Sequence, residues 1–193
     1  WTRWAVSSTW EAKNPRDYWF GEAGKSCDVC TWRQALNAEY AVEIGQSSGS
    51  SLIDMHRAYE LVSHKQLVHN ARRYGFNLRL LRFILATYSM ARAILFRQIV
   101  TDSVMIAGTL VAGCSHATTL LKLSLMGALD MVVQKWPSVD LAVVVDDVQF
   151  QSMGSAASVG RVLTGAVRMA RKYLTEECHM IVSEPKFVTI SSD

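Results

Sequence analysis

Within the stretch LAVVVDDVQF, residues 141 to 150, two adjacent carboxylates stand between two short apolar runs. One reading is structural: Asp is a common turn residue, and a tight hairpin between two strands needs polar residues at its tip. The other is chemical. Two carboxylates held close repel one another, and a divalent cation between them relieves the repulsion. Asp146 and Asp147 then need a further oxygen donor elsewhere in the chain. Asp54, at the end of the apolar run SLIDM, supplies the expected third carboxylate, and the carbonyl of Met55 a fourth oxygen. Three carboxylates on one sheet edge suit two Mg²⁺ or Mn²⁺ ions about 3.5 to 4 Å apart, the arrangement that drives phosphoryl transfer in nucleases and polymerases alike.

These acids meet only if particular elements carry them. Trp32, Ala35, Leu36, Tyr40 and Ile44 recur near helical spacing and predict a helix from Cys30 to Glu43. GQSSGS, residues 45 to 50, predicts a turn, followed by a short buried strand ending at Asp54. Two helices are expected over Ala58–Tyr74 and Leu78–Met90, then a strand pair near Ala93–Gln98 and Ser103–Ile106. A strong helix is expected from His116 to Lys135, stopping before Pro137. LAVVV and VQFQSM form the strands around the acid pair. A helix over Ala156–Leu174 turns Val159, Leu163, Val167, Ala170 and Leu174 inward and Arg161, Arg168, Arg171 and Lys172 outward. Short strands near His179–Val182 and Lys186–Ile190 close the chain. The first 25 residues, with Trp1, Trp4, Trp10 and Trp19, carry no clear period. This order predicts an α+β fold, an antiparallel sheet in a βαββαβ (ferredoxin- or RRM-like) layout with helices on one face, and that topology sets the Asp54 strand beside the Asp146 hairpin.

The 193 residues, half of them apolar, suffice for one substantial core. The longest apolar window, Ile106 to Val133, is interrupted by His116, Lys122 and Asp130, which predicts a buried helix and no membrane span. The net charge is only +3, but the segment from Leu61 to Thr101 holds seven Lys or Arg residues and no acid, a block suited to a polyanion or, equally, to solvated helix faces. Of the four cysteines, Cys27 and Cys30 form a lone CxxC, while Cys114 and Cys178 complete no zinc spacing. Free thiols in a reducing intracellular compartment, nuclear or cytoplasmic, are the expected state.

Several short segments together carry a family likeness. Asp54-Met-His-Arg-Ala-Tyr59, continued by His64, Leu67 and Tyr74-Gly75-Phe76, resembles the reverse-transcriptase motif in which a catalytic Asp is followed by a basic residue, Ala and an aromatic. Ala112-Gly113-Cys114-Ser115 with Leu120 and Leu121 is similar to the family's QGxxxSPxLF segment, and VVDD to its YADD-type hairpin. Lys186 matches the lysine of the next motif, and Phe20-Gly21-Glu-Ala-Gly24-Lys-Ser26 a glycine-bearing segment ahead of the catalytic strand. The set resembles reverse transcriptases of non-LTR (LINE-type) retrotransposons over residues 18 to 191. The pattern departs at Ala112 for Gln, at Ala117-Thr118 for Ser-Pro and at Val144 for an aromatic.

The resemblance implies a partial fingers-like segment over 1–49 and a palm over 50–193, with no thumb. It implies an RNA-directed DNA polymerase, a nucleotidyltransferase acting with an RNA template, a DNA primer and deoxynucleotide triphosphates. Asp54 and Asp146 would ligate the metals with Asp147 assisting. Tyr59 would exclude a ribose 2′-hydroxyl, Gly113 would let backbone approach the nucleotide, and Lys186 would protonate the departing pyrophosphate. The alternatives are a decayed, nucleic-acid-binding relic of such an element and an unrelated metal-dependent nuclease.

Overall fold

The computed structural model describes residues 2–22, 24–105 and 108–192, so Trp1, Ala23 and Ile106, named above, lie outside the described residues. Seven α-helices and seven strands are seen among these residues, distributed over two compact units. No described helix is long and apolar enough to cross a membrane.

The first unit joins residues 1–14 to residues 59–124. The N-terminal segment, without period in the sequence, is the helix α1 (Thr2–Lys13). Trp10 of α1 sets its ring edge-on to Phe76, with centroids 5.4 Å apart, and donates its indole N–H to the Tyr74 carbonyl at 2.8 Å. The helix expected over Ala58–Tyr74 is two pieces, α3 (Ala58–Leu61) and α4 (His64–Arg73). Ser63 breaks it: its backbone is extended and its hydroxyl accepts the Gln66 N–H, restarting the helix as an N-cap. Asn77 caps α5 (Leu78–Tyr88) in the same way. The strand pair that follows is narrower than expected, β2 (Leu95–Phe96) with β3 (Ile99–Val100), because the chain turns at Arg97-Gln98; the segment near Ser103 contributes only a bridge from Val104 to Arg92. The long helix α6 (Ala117–Lys135) begins in this unit, where Thr119 donates to Glu11 at 2.5 Å and Asn70 donates to the Leu123 carbonyl at 3.0 Å.

The second unit, residues 15–58 and 125–193, holds the sheet. Its strands are β1 (Ser47–His56), β4 (Asp140–Val144), β5 (Asp147–Gly154), β6 (Ile181–Val182) and β7 (Val188–Ser191). All pair antiparallel in the order β4-β5-β1-β6, with β7 also on β1. This is the α+β class and antiparallel sheet the sequence predicts. The serine- and glycine-rich run, however, turns only at Gly45, where φ is +66°, and Ser47 to Ser50 already belong to β1. Gly49 explains why: a Cβ there would sit 2.8 Å from Val159 Cγ1 and 2.9 Å from Leu163 Cδ1 on the helix α7 (Ala156–Glu176). The strand carries glycine so that α7 can lie close, burying Val159, Leu163, Ala166, Val167, Ala170 and Leu174.

Because strand side chains alternate, the neighbour Ser50 and its register partner Gln151 point to the opposite face. There Gln151 donates to the Gln34 carbonyl of helix α2 (Cys27–Glu43) at 2.9 Å, so α2 covers the second face, a layer beyond the one-sided arrangement expected. Ser26 caps α2, which therefore starts three residues before the expected Cys30. Residues 18–20 run beside β4 in parallel, with the Val143 N–H donating to the Tyr18 carbonyl at 2.7 Å and the Phe20 N–H to the Val143 carbonyl at 2.8 Å.

Gly49→Val should destabilise the protein by about 1–3 kcal/mol through overpacking, whereas Gly160→Ala on α7, where an added Cβ meets nothing within 4 Å, should be neutral or gain up to about 1 kcal/mol in helix propensity. Urea unfolding of the two variants checks this, and equal effects would contradict the close α7–β1 packing.

Candidate metal and nucleotide site

The β4–β5 hairpin does not turn where the acid doublet suggests. Val144 pairs with Asp147, so the loop is Val145-Asp146 and Asp147 is the first residue of β5. Val145 takes φ +60°, a position that a β-branched side chain occupies only under strain and that a two-residue hairpin normally gives to glycine. The neighbouring ladder overrides that local cost. On its other side β5 continues in register with β1, and the final pair of that ladder is Asp54 opposite Asp147. The Met55 N–H donates to the Asp146 carbonyl at 3.2 Å, which ties the hairpin tip to the end of β1. Asp54, Asp146 and Asp147 are thereby brought to one end of one sheet.

Lys186 arrives by a break in the neighbouring strand. β6 pairs Met55 with Val182, β7 resumes by pairing Leu52 with Val188, and the residues between bulge out as a 3₁₀ turn, Glu184–Lys186. Pro185 within that turn has no N–H to give a ladder, so the strand expected to start at Lys186 cannot form until Val188. The Ser183 N–H donates to the Asp54 carbonyl at 2.9 Å, fixing the turn beside Asp54, and Lys186 Nζ reaches Asp54 Oδ1 at 3.1 Å. Arg171 of α7 pairs with Glu184 and steadies the turn from outside.

The charges are unequally placed: Asp54 is buried at 9% exposure, Asp146 is half-buried and Asp147 is exposed. Although the residue as a whole is exposed, partial desolvation of its carboxyl, then the nearby Asp146 and Asp54, raise Asp147 above its ordinary range, with Lys186 acting against them. The hydrogen bond that Lys186 donates to Asp54, reinforced by that carboxylate's charge, raises the Lys186 ammonium. Among the described residues no three His, Cys, Asp or Glu side chains are arranged as a ready metal set. The donors nonetheless suit a hard, oxygen-seeking cation, and a cation, the Lys186 ammonium, is already drawn to Asp54. Loading a metal on Asp54 requires that ammonium to give way.

The other expected site residues fall differently. Met55 is buried in β1 and meets Asp146 through its amide N–H rather than its carbonyl. Tyr59 and Gly113 belong to the first unit. Tyr59 is half-buried, its carbonyl accepting the Leu110 N–H at 2.8 Å. Gly113 turns the chain ahead of α6 with φ +82°, and nothing lies within 4 Å of where a Cβ would stand, so the requirement there is backbone conformation rather than space. Of the basic block, Lys65, Arg72, Arg73, Arg79, Arg82 and Arg97 are exposed, while Arg92 is half-buried and donates to the Tyr88 carbonyl. The residues that sequence reasoning missed are Val145, Ser183 and Pro185. A proline three residues beyond Ile181-Val182 was the available signal for the last of these.

No family model matches the chain, and no curated protein matches it. Solved structures do. An apo telomerase from Candida tropicalis, truncated from its C-terminal domain, superposes over 99% of this chain with a TM-score of 0.60 and 10% identity. Telomerase from Candida tropicalis in complex with a TWJ fragment of telomeric RNA gives 0.68 over 99% of the chain, also at 10% identity. Telomerase from Candida albicans in complex with a TWJ fragment of telomeric RNA gives 0.62 over 97%, again at 10%. At this identity the likeness establishes the fold class, an α+β antiparallel architecture shared with telomerase. The chain spans 33 to 40% of the length of those proteins.

Because the Asp147 carboxyl is raised in the folded state, its contribution to stability is complete below the ordinary value of 3.8 and is lost as pH rises through the raised value. Asp147→Asn should therefore raise the unfolding midpoint at neutral pH, with the gain shrinking as pH falls through the raised value and vanishing below 3.8; thermal melts across pH read it. A second expectation concerns Lys186: Lys186→Met, which removes the competing ammonium, should tighten Mn²⁺ binding about 3- to 10-fold, as read by calorimetric titration.

Proposed function

We propose that this chain is the palm, with part of the fingers, of a reverse transcriptase of the non-LTR (LINE-type) retrotransposon kind, adding deoxynucleotides to a primer 3′-hydroxyl. The observation that carries this reading is the register pair of Asp54 with Asp147, with Asp146 in the adjoining β4–β5 turn. Supporting it are the motifs in consistent order along residues 18 to 191 and a fold shared with telomerase, a reverse-transcriptase-related enzyme. Mg²⁺ or Mn²⁺, held by Asp54 and Asp146 with Asp147 assisting, would activate the primer hydroxyl and offset charge on the leaving phosphate.

The chain's own residues have separable tasks. Asp54, buried and fixed within a ten-residue strand, is the rigid ligand, while Asp146, in a two-residue loop, is the adjustable one. Lys186, whose ammonium is raised, retains its proton at neutral pH and can donate it to departing pyrophosphate. Tyr59, five positions beyond Asp54, would lie under the incoming sugar and reject a 2′-hydroxyl, and Gly113 would admit the nucleotide's close approach. The exposed arginines of α4 and α5 would bind template or primer phosphates. Such a protein works inside the cell, at the nucleus or in the cytoplasm.

A second reading has its own support. With Lys186 on Asp54 and no ready metal set among the described residues, the chain could bind nucleic acid through its basic block without turning over, as a decayed relic. Primer extension separates the two. A chain extended with the segments that clamp primer and template should extend a primed RNA template only with Mg²⁺ or Mn²⁺, and Asp146→Ala should lower the rate by at least about 1,000-fold, or about 4 kcal/mol. Salt-sensitive binding with equal inactivity of wild type and variant would instead favour the relic, and cleavage products would indicate a nuclease.

A further inference from the structure

Helix α2 is turned inside out. Its polar side chains face the sheet: Arg33 donates to the Leu141 carbonyl and pairs with Asp140, and Asn37 donates to Asp140 at 2.8 Å. Its apolar residues Val29, Trp32, Leu36 and Tyr40 face solvent, Trp32 at 75% and Leu36 at 65% exposure. These positions repeat at three and four residues and form a continuous stripe along the helix. An exposed apolar stripe of this size marks a docking surface. Its rim is acidic, because Asp28, Glu39 and Glu43 are exposed and Arg33, the helix's one cation, is spent on Asp140.

That charge excludes pairing of α2 with α2 of another copy. In the antiparallel arrangement Asp28 would face Glu39 and Glu43, and in the parallel one each acid would face itself, so both are repulsive. The stripe calls for an apolar partner with a basic edge, and this chain carries one. The β2–β3 hairpin exposes Leu95, Phe96, Ile99 and Val100, Phe96 at 67% and Ile99 at 71%, with Arg97 at its tip and Arg92 at its base. Two strands of two residues each do not hold together in water unaided, so cover over these side chains would stabilise the ribbon.

We propose that the outer face of α2 receives the β2–β3 hairpin of a second copy of this chain, head to tail. Such a contact joins two different patches, leaves one of each free at the ends, and so builds open chains rather than a closed dimer. Sedimentation velocity over a rising concentration series tests it. The wild type should grow past twice the monomer mass, with growth weakened by salt. Trp32→Glu alone and Phe96→Glu alone should each remain monomeric. An equimolar mixture of the two should form a dimer and nothing larger, because the first variant keeps its hairpin and the second keeps its α2 face. Both variants are at exposed positions, and a melting curve matching the wild type confirms folding; Leu36→Glu replaces Trp32→Glu should that variant fail to fold. A wild type that stays monomeric up to its solubility limit, single variants that associate as the wild type does, or a mixture that stays monomeric overturns the proposal.

Discussion

The antiparallel ladder between β1 and β5 is the constraint on which the site depends. Eight register pairs run from Ser47–Gly154 to Asp54–Asp147, and only the last sets like charges opposite one another. A like-charged cross-strand pair costs on the order of 0.2–1 kcal/mol, whereas each ladder hydrogen bond is worth about 0.5–1.5 kcal/mol. The ladder wins by a wide margin and imposes the carboxylate pairing. The unfavourable charge is thus held at one end of the sheet by pairing energy collected along the rest of it, with the Lys186 ammonium against Asp54 as its counter-charge.

Two further devices serve the same end. The left-handed Val145 lets the hairpin close in two residues, so that Asp146 lies in the loop while Asp147 stays in the ladder. Strain of this kind persists only where the surroundings over-determine it, and here β4 and β1 hold β5 from both sides. The broken strand beyond β1 is the second device. Pro185 interrupts β6 and β7 at the level of Asp54 and brings Lys186 over it, a tethered cation that neutralises the buried acid.

Much of this was legible in the sequence because it rests on period and connectivity. The apolar face of α7, the stop of α6 before Pro137, and the strand-helix order that brings Asp54 to the later doublet all follow from pattern. What was not legible depends on tertiary context. The run Ser47 to Ser50 looks like a turn by composition, yet it is strand because α7 needs Gly49 beneath it. The turn within the doublet lies one residue earlier than the acids suggest, since register with β1 outranks turn propensity. The helical spacing of Trp32, Leu36 and Tyr40 predicted α2 correctly, but an amphipathic stripe reports the helix and not which side of it meets the core.

A double-mutant cycle on divalent-cation affinity tests the central claim most directly, with Mn²⁺ titrated calorimetrically into the wild type, Asp54→Asn, Asp146→Asn and the double variant. If the two acids serve one ion site, each single substitution should remove most of the affinity and the double should lose little more, a strongly non-additive result. Losses that simply add, or an Asp54→Asn protein that binds Mn²⁺ as the wild type does, would show that the two acids act apart and would contradict the account.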